Sequence, residues 1–359
     1  MELQKPHLTP PLTKGHISVA RMTNYWYIAC QSQELTDKPL VRTVIGIPLV
    51  LFRAVDGKAA ALLDRCPHRN IALSLGRVVN GNLECPYHGW QFDGGGTCQA
   101  VPGLCGVPEK SGTRAVAYPV VEQDGFVWVF GNADIEPETL PYQFPNINDN
   151  SYTTWREEFA YECTLHAALE NITDVSHTPF VHTGLLRGDP KRKQITAAIR
   201  QQQNGIEIEY LDEPRPSGLA AQIIAPNVTE VNHFDRFLLP SMAQVEYRFG
   251  NNYSLLVTQA MTPVSDFYNR NFLVVTFRLG LPGWVMQPLV KFLLSSIIRQ
   301  DAVVLKAQAE NIRRFGGEQF MSTDVDLVSS QIWFMLQQAE RGELRQPKEI
   351  SEKLVQILV

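Results

Sequence analysis

The stretch from Cys66 to Trp90, CPHRNIALSLGRVVNGNLECPYHGW, constrains this chain more than any other. It presents Cys66 and His68 as a C-x-H pair and Cys85 and His88 as a C-x-x-H pair, with sixteen residues between His68 and Cys85. Two thiolates and two imidazoles therefore come from two short loops. Pro67 and Pro86 fix φ beside each thiolate and remove an N–H, while Gly89 lets the backbone pass close to a bound group. Such loops suit a rigidly held metal group.

Two metal groups take this donor set. A structural zinc ion accepts two Cys and two His, but zinc modules usually place like ligands together, as C-x-x-C followed by H-x3-5-H. Here each loop supplies one Cys and one His. A [2Fe–2S] cluster of Rieske type asks for that mixture, with two Cys on one iron and two His on the other, and neutral imidazole in place of thiolate raises its potential. Ligand order favours the cluster.

The 359 residues are enough for about two domains with a real core. A net charge of -5 and the absence of any basic run argue against a nucleic-acid surface. Six cysteines are too few for a disulfide scaffold in a chain this long. Cys30, Cys98, Cys105 and Cys163 read as reduced, mostly buried small hydrophobes. The start has no apolar signal-peptide core, so the cytoplasm is the expected compartment. Residues 280–298, GLPGWVMQPLVKFLLSSII, are strongly apolar but are interrupted by Lys291, Pro282 and Pro288. A buried or pocket-lining helix fits them better than a spanning one, with peripheral membrane contact as the lesser alternative.

Residues 1–23 form an aperiodic, proline-containing lead-in. From 24 to 135 short β-rich runs alternate with turns such as Asp56-Gly57, Gly94 to Gly96 and Asp124-Gly125, predicting a small antiparallel β domain that carries both ligand loops. A proline-rich and acidic linker closes it. Residues 136–359 make a second domain of α+β character: a strand and a helix around FAYECTLHAALENITDVSHTPFVH, strands over 194–279, then helices at roughly 285–315 and 324–342.

That first helix carries Asn171, Asp174, His177 and His182. Asp174 and His177 at i, i+3 are expected to share its face, and Pro179 with the i, i+5 spacing suggests a break or π-like turn that returns His182 to His177. Two histidines and a carboxylate make the facial triad of non-haem Fe(II). Asp301 is the first choice of carboxylate, because an acid in an apolar helical stretch needs a partner and a cation is one. Glu310, Glu318 and Asp324 stand in reserve. His7, His16, His166 and His233 lack companions and read as structural, and Phe159, Leu165, Phe180, Phe234 and Trp284 are offered as pocket lining.

With C-P-H at Cys66, C-P-Y-H-G-W at Cys85, D-V-S-H-T-P-F-V-H at Asp174 and Q-D at Gln300, the chain resembles the Rieske non-haem iron oxygenases, in particular their catalytic α-subunits that work without a β-subunit. The resemblance runs from Trp26 to about Leu336. It implies a Rieske domain followed by a helix-grip catalytic domain, a [2Fe–2S] cluster on Cys66, His68, Cys85 and His88, and mononuclear Fe(II) on His177, His182 and Asp301. It also implies a homotrimer in which His88 reaches Asp174 of the partner subunit, with Asn171 near the iron. Neither ligand loop has the spare cysteine found in respiratory Rieske proteins, which points to the lower-potential type within the range of about −150 to +300 mV.

The implied activity is that of a terminal oxygenase. It would use O2 and electrons from an external ferredoxin or flavin reductase to hydroxylate, or oxidatively demethylate, a largely apolar aromatic or alicyclic small molecule. No G-x-G-x-x-G fingerprint for a nucleotide of its own is present. A ring-dihydroxylating or pigment-modifying oxygenase is the alternative within this chemistry. An electron carrier or redox sensor is the alternative outside it, and predicts no second iron.

Overall fold

A computed structural model describes residues 21–104, 113–185, 193–213, 231–250, 252–343 and 352–358. Most of the lead-in, together with His7, His16 and Cys105, lies outside them. The chain divides into two compact units, one comprising residues 21–143 and 262–265, the other residues 144–261 and 266–359.

The first unit is antiparallel β throughout. One four-stranded sheet includes Ile47–Arg53 and Ala59–Leu63. Another contains Arg77–Val79, Asn82–Glu84, Gln91–Phe92 and Cys98–Ala100 in sequence order. A three-stranded sheet is centred on Phe126–Phe130, whose five residues are all buried. The hairpin turns sit where Asp-Gly and Asn-Gly allow positive φ at both central residues: 57° and 81° at Asp124-Gly125, 51° and 76° at Asn80-Gly81. Val50, Phe52, Leu62, Leu73, Leu83 and Phe92 form one core that includes Cys66 and Cys85, so the ligand loops are anchored in packed strands.

The second unit is built on an eight-stranded antiparallel sheet. Its spatial order is Thr153–Tyr161, Tyr268–Arg278, Tyr253–Ser265, Met242–Phe249, Val231–Leu238, Gly205–Leu211, Gln194–Gln202 and Glu352–Leu358. Among the described residues four helices accompany it: α1 Leu165–Ile172, α2 Thr178–Val181, α3 Gly283–Arg314 and α4 Ser329–Arg341. Helix α3 packs Met286 and Val290 onto Trp155, Leu273, Val275 and Phe277 of the sheet. Helix α4 starts later than its sequence suggests, because Asp326 accepts from the Thr323 backbone N–H and hydroxyl and holds a turn ahead of it. Among the described residues no helix is long and apolar enough to cross a membrane. The apolar 280–298 stretch is the first half of α3, where Val290 and Leu293 are buried while Trp284 and Phe292 are exposed.

Candidate metal centres

The two Cys-His loops of the first unit are copies of one turn. The Cys66 N–H donates to Ile71 O at 2.8 Å and the Cys85 N–H to Trp90 O at 2.8 Å. The Asn70 N–H donates back to Cys66 O at 2.9 Å, and the Gly89 N–H to Cys85 O at 3.1 Å. Four residues after each cysteine the chain must therefore take positive φ, 62° at Asn70 and 69° at Gly89, and each loop has a residue that tolerates it. The cysteines are buried at 1% and 2% exposure. The rings of His68 and His88 have centroids 4.6 Å apart, and His68 stacks on Trp90 at 4.6 Å.

The chemistry of these four groups fits a cluster. Burial, reinforced by the sulfur of Cys85, pushes the Cys66 thiol up to about 11, so this thiol needs a metal in order to ionise at neutral pH. Burial, and then the proximity of His88 and Arg69, hold His68 below its ordinary value, in the neutral form a metal requires. Its Nδ1 is buried with no hydrogen-bond partner.

In the second unit Thr164 caps α1, its hydroxyl accepting from the Ala167 N–H at 3.3 Å. The helix stops at Ile172, so Asp174 and His177 do not share a helix face as the i, i+3 spacing suggested. They lie in the link to α2. Asp174 Oδ1 there accepts from Ser176 N and Oγ at 2.7 and 2.6 Å, and its Oδ2 lies 3.2 Å from the His177 N–H and 3.3 Å from His177 Nδ1. No π-like turn is present. His177 and His182 cap the two ends of the four-residue α2, with Pro179 in its first turn, where a missing N–H does no harm.

The capping positions bring the rings together. His177 Nε2 and His182 Nε2 are 3.2 Å apart, and Asp301 Oδ1 lies 3.5 Å from the first and 3.1 Å from the second. Asp301 is buried on α3 despite its charge, and the Asn171 amide stands 3.5 Å from the same oxygen. His182 Nδ1 bonds Gln300 Oε1 at 2.8 Å. With both Nδ1 atoms donating, to Asp174 and to Gln300, the two Nε2 atoms and a carboxylate oxygen converge on one point, which a proton or a metal cation can occupy. Burial opposes protonation of His177, yet Asp174 and Asp301 outweigh it and raise its pKa to about 9. Burial likewise works against Asp301 and Asp174 as anions, but their bonds, to His177 and His182 for the first and to His177 and Ser176 for the second, hold both below the carboxylate range. The donor set fits a facial-triad metal.

This trio stands in the wall of a mostly apolar cavity. Its floor is a patch of sheet: Leu255, Val257 and Gln259 on one strand, Val245, Tyr247 and Phe249 on the next, His233 and Asp235 on the third. Leu293, Leu294, Ile297, Ile298 and Asp301 make one stripe of α3 above it.

None of the five side chains that the sequence offered as lining belongs to it. Phe180 and Trp284 are exposed at 68% and 80%, Leu165 is buried at the start of α1, and Phe159 packs into the sheet core. Phe234 alternates with His233 and Asp235, and so lies on the other side of its strand, under Arg236 and Arg248.

His166 and His233 do have companions, far away in sequence. His166 Nε2 reaches Ser329 O at 3.1 Å, and its Nδ1 lies 3.9 Å from Glu318, which is buried there and is not part of the metal trio. His233 is held between Glu213 Oε2 at 2.8 Å and Asp235 Oδ1 at 3.0 Å. The alternation H-x-D within a strand pattern was the available signal. Glu310 and Asp324 are exposed and take no part in the metal trio.

Comparison with known proteins agrees with this construction. Residues 25–110 match the Rieske [2Fe-2S] domain, and residues 161–340, half of the chain, match the vanillate O-demethylase oxygenase C-terminal domain. The oxygenase component of dicamba O-demethylase from Stenotrophomonas maltophilia is 41% identical over 161 residues, which are 44% of this chain and 47% of that protein. The chain thus spans about half the length of that relative. The vanillate O-demethylase oxygenase subunit of a Pseudomonas strain is 25% identical over 334 residues, 84% of this chain and 90% of the other. A crystal structure of dicamba monooxygenase bound to 3,6 dichlorosalicylic acid superposes with a TM-score of 0.75 at 26% identity, over 90% of this chain and 99% of that one. The chain belongs to the Rieske oxygenases whose C-terminal domain is of the vanillate O-demethylase oxygenase type.

Proposed function

We propose that the protein is the terminal oxygenase of a multicomponent system. It would take O2 and electrons from an external ferredoxin or flavin reductase to hydroxylate or oxidatively demethylate a largely apolar aromatic or alicyclic small molecule. The observation that carries this reading is the meeting of His177, His182 and Asp301 in the wall of an apolar cavity, in a chain that also bears the paired Cys-His loops. The names of the demethylases among its relatives favour monooxygenation over ring dihydroxylation.

In this reading residues 24–135 hold the cluster through Cys66, His68, Cys85 and His88, and residues 136–359 hold Fe(II) through His177, His182 and Asp301. Bound there, the cluster supplies single electrons and the iron supplies oxygen activation beside a substrate C–H bond. The chain's own residues position and shield. Asp174 and Gln300 orient the two imidazoles, the α3 stripe and the apolar sheet floor keep water from the reacting position, and Asn171 stands beside Asp301. A homotrimer placing His88 against Asp174 of the partner subunit is the assembly this reading takes.

Iron and acid-labile sulfide on anaerobically purified protein test it, together with reductase-dependent oxidation of a methoxyarene. About three irons and two sulfides per chain, falling to about two and two in His177→Ala, are expected. Two irons in the parent after Fe(II) reconstitution would leave an electron carrier or sensor instead.

A further inference from the structure

The cavity wall contains several polar side chains, and almost all of them are engaged with one another. Both ring nitrogens of His233 are taken by Glu213 and Asp235, and the other oxygen of Asp235 accepts from Tyr210 Oη at 2.9 Å. Asp174 is bound to Ser176 and His177, and the hydroxyl of Thr178 donates to Val175 O at 2.9 Å. Gln259 is different. Its Oε1 takes Asn271 Nδ2 at 2.5 Å and Tyr161 Oη at 3.3 Å, while its Nε2 has no partner among the described residues. The residue is 7% exposed and lines the cavity.

The orientation of this amide follows from Tyr161. That phenol is wholly buried at 0% exposure, its hydroxyl stays protonated because burial drives its pKa far up, and Gln259 is its hydrogen-bond partner. A buried O–H needs an acceptor, so the oxygen of Gln259 faces Tyr161 and the NH2 faces the other way. Strand alternation supplies the direction: Leu255, Val257 and Gln259 share the cavity side, whereas Thr258, on the other side, bonds Gln244 at 3.0 Å. A donor with its oxygen clamped is therefore held at the cavity surface.

The described residues lining the cavity include no Lys or Arg, and they include the carboxylates of Asp174, Asp235 and Asp301. The lining imidazole outside the metal trio, His233, is already held between the carboxylates of Glu213 and Asp235, so a carboxylate on the substrate would meet no unpaired cation there other than the metal itself, and would be repelled.

We propose that Gln259 is the substrate-orienting residue of this cavity. Its NH2 would pin one neutral acceptor, a carbonyl or ether oxygen or a ring nitrogen, so that the substrate is an uncharged, largely apolar molecule rather than an arene carboxylate. This rests on the oxygenase reading and narrows its substrate class. It also separates this chain from the relatives named for acting on vanillate and from the structure holding a salicylic acid.

Calorimetric binding to the iron-loaded full chain tests it with three matched probes: 4-methoxybenzamide, 4-methoxytoluene and 4-methoxybenzoate. The amide is expected to bind at least about tenfold tighter than the other two, the size of one hydrogen bond to a buried group. Gln259→Leu should abolish that advantage while leaving 4-methoxytoluene binding near the parent value, with a lower melting temperature because the buried Tyr161 hydroxyl and Asn271 amide lose their acceptor. Gln259→Glu, which keeps the shape but turns an acceptor to the cavity, should weaken the amide as much. Preferential binding of the benzoate would overturn the proposal, as would binding of none of the three, or a Gln259→Leu variant that loses affinity for all probes equally. A chain lacking the mononuclear iron would refute the oxygenase reading instead, and the metal analysis reveals that independently.

Discussion

His182 Nδ1 donates to Gln300 Oε1 at 2.8 Å, and this bond fixes which nitrogen of His182 faces Asp301. The two residues reach the site from different elements, His182 as a member of the trio at the end of α2 and Gln300 one position before Asp301 on α3. A single helix thus supplies both an anionic oxygen for the metal position and the neutral acceptor that sets the tautomer of a neighbouring imidazole.

Gln300→Leu removes the acceptor while keeping the bulk. The His182 ring is then free to change tautomer and to rotate, and affinity at such sites typically falls about 10–100-fold when an outer hydrogen bond is lost. Competition of the purified variant with a chelator should show faster and more complete loss of mononuclear iron, with sulfide content unchanged. Equal iron retention in parent and variant would show that packing alone holds His182.

Asp174 plays the corresponding part for His177, with a full negative charge. Asp174→Asn keeps the volume and weakens the acceptor, so reductase-driven turnover should fall about 10–100-fold or more. Single-turnover assays and metal analysis on the same preparation separate the causes. Retained iron with slow oxidation places Asp174 in electron delivery or ring alignment, whereas lost iron places it in metal holding.

Much of this arrangement was legible in the sequence because its donors are rare residue types at short spacing. Cys66 to His68 and Cys85 to His88 are local, and so are His177 and His182. Asp301 could be selected because an acid among Ile297, Ile298, Val304 and Leu305 stands out. What was not legible depends on backbone details and on distant pairing. The spacing of Asp174 and His177 suits a helix, and only the end of α1 at Ile172 puts them in a link instead. The companions of His166, Glu318 and Ser329, lie more than 150 positions away. The cavity lining could not be chosen by apolarity, since Phe180 and Trp284 are as apolar as Leu293 or Val257 and differ only in which side of the backbone faces water.

Gly89 illustrates a residue requirement that the sequence suggested and the backbone explains. It adopts φ +69° and donates to Cys85 O, and a Cβ there would lie 2.9 Å from Pro102 Cγ. Gly89→Ala should cost about 1–2 kcal/mol for the left-handed conformation alone, plus the displacement of Pro102. Visible absorbance of the cluster and the sulfide-to-protein ratio should both drop, while Asn70→Gly, at the equivalent position of the other loop, should be tolerated. An unchanged sulfide ratio in Gly89→Ala would mean that the loop reshapes without losing its ligands.

The His233 cluster makes a pH-dependent contribution to stability whose sign follows from its partners. Burial opposes the imidazolium, but the carboxylates of Asp235 and Glu213 overcome it and raise the pKa to about 10, while Tyr210 and Tyr247 stack on the ring. A folded-state pKa above the unfolded one, near 6.5, means the native state binds the proton more tightly. The stabilisation is complete below about pH 6.5 and is lost as pH rises towards 10. Denaturant unfolding of the parent should therefore show stability falling across that interval. His233→Gln should be less stable at pH 6.5 by about 3–5 kcal/mol, because it leaves buried carboxylates uncompensated, and its curve over the same interval should be flatter. A variant with the same slope as the parent would assign the alkaline loss to other groups and would mean that His233 is neutral between its two carboxylates.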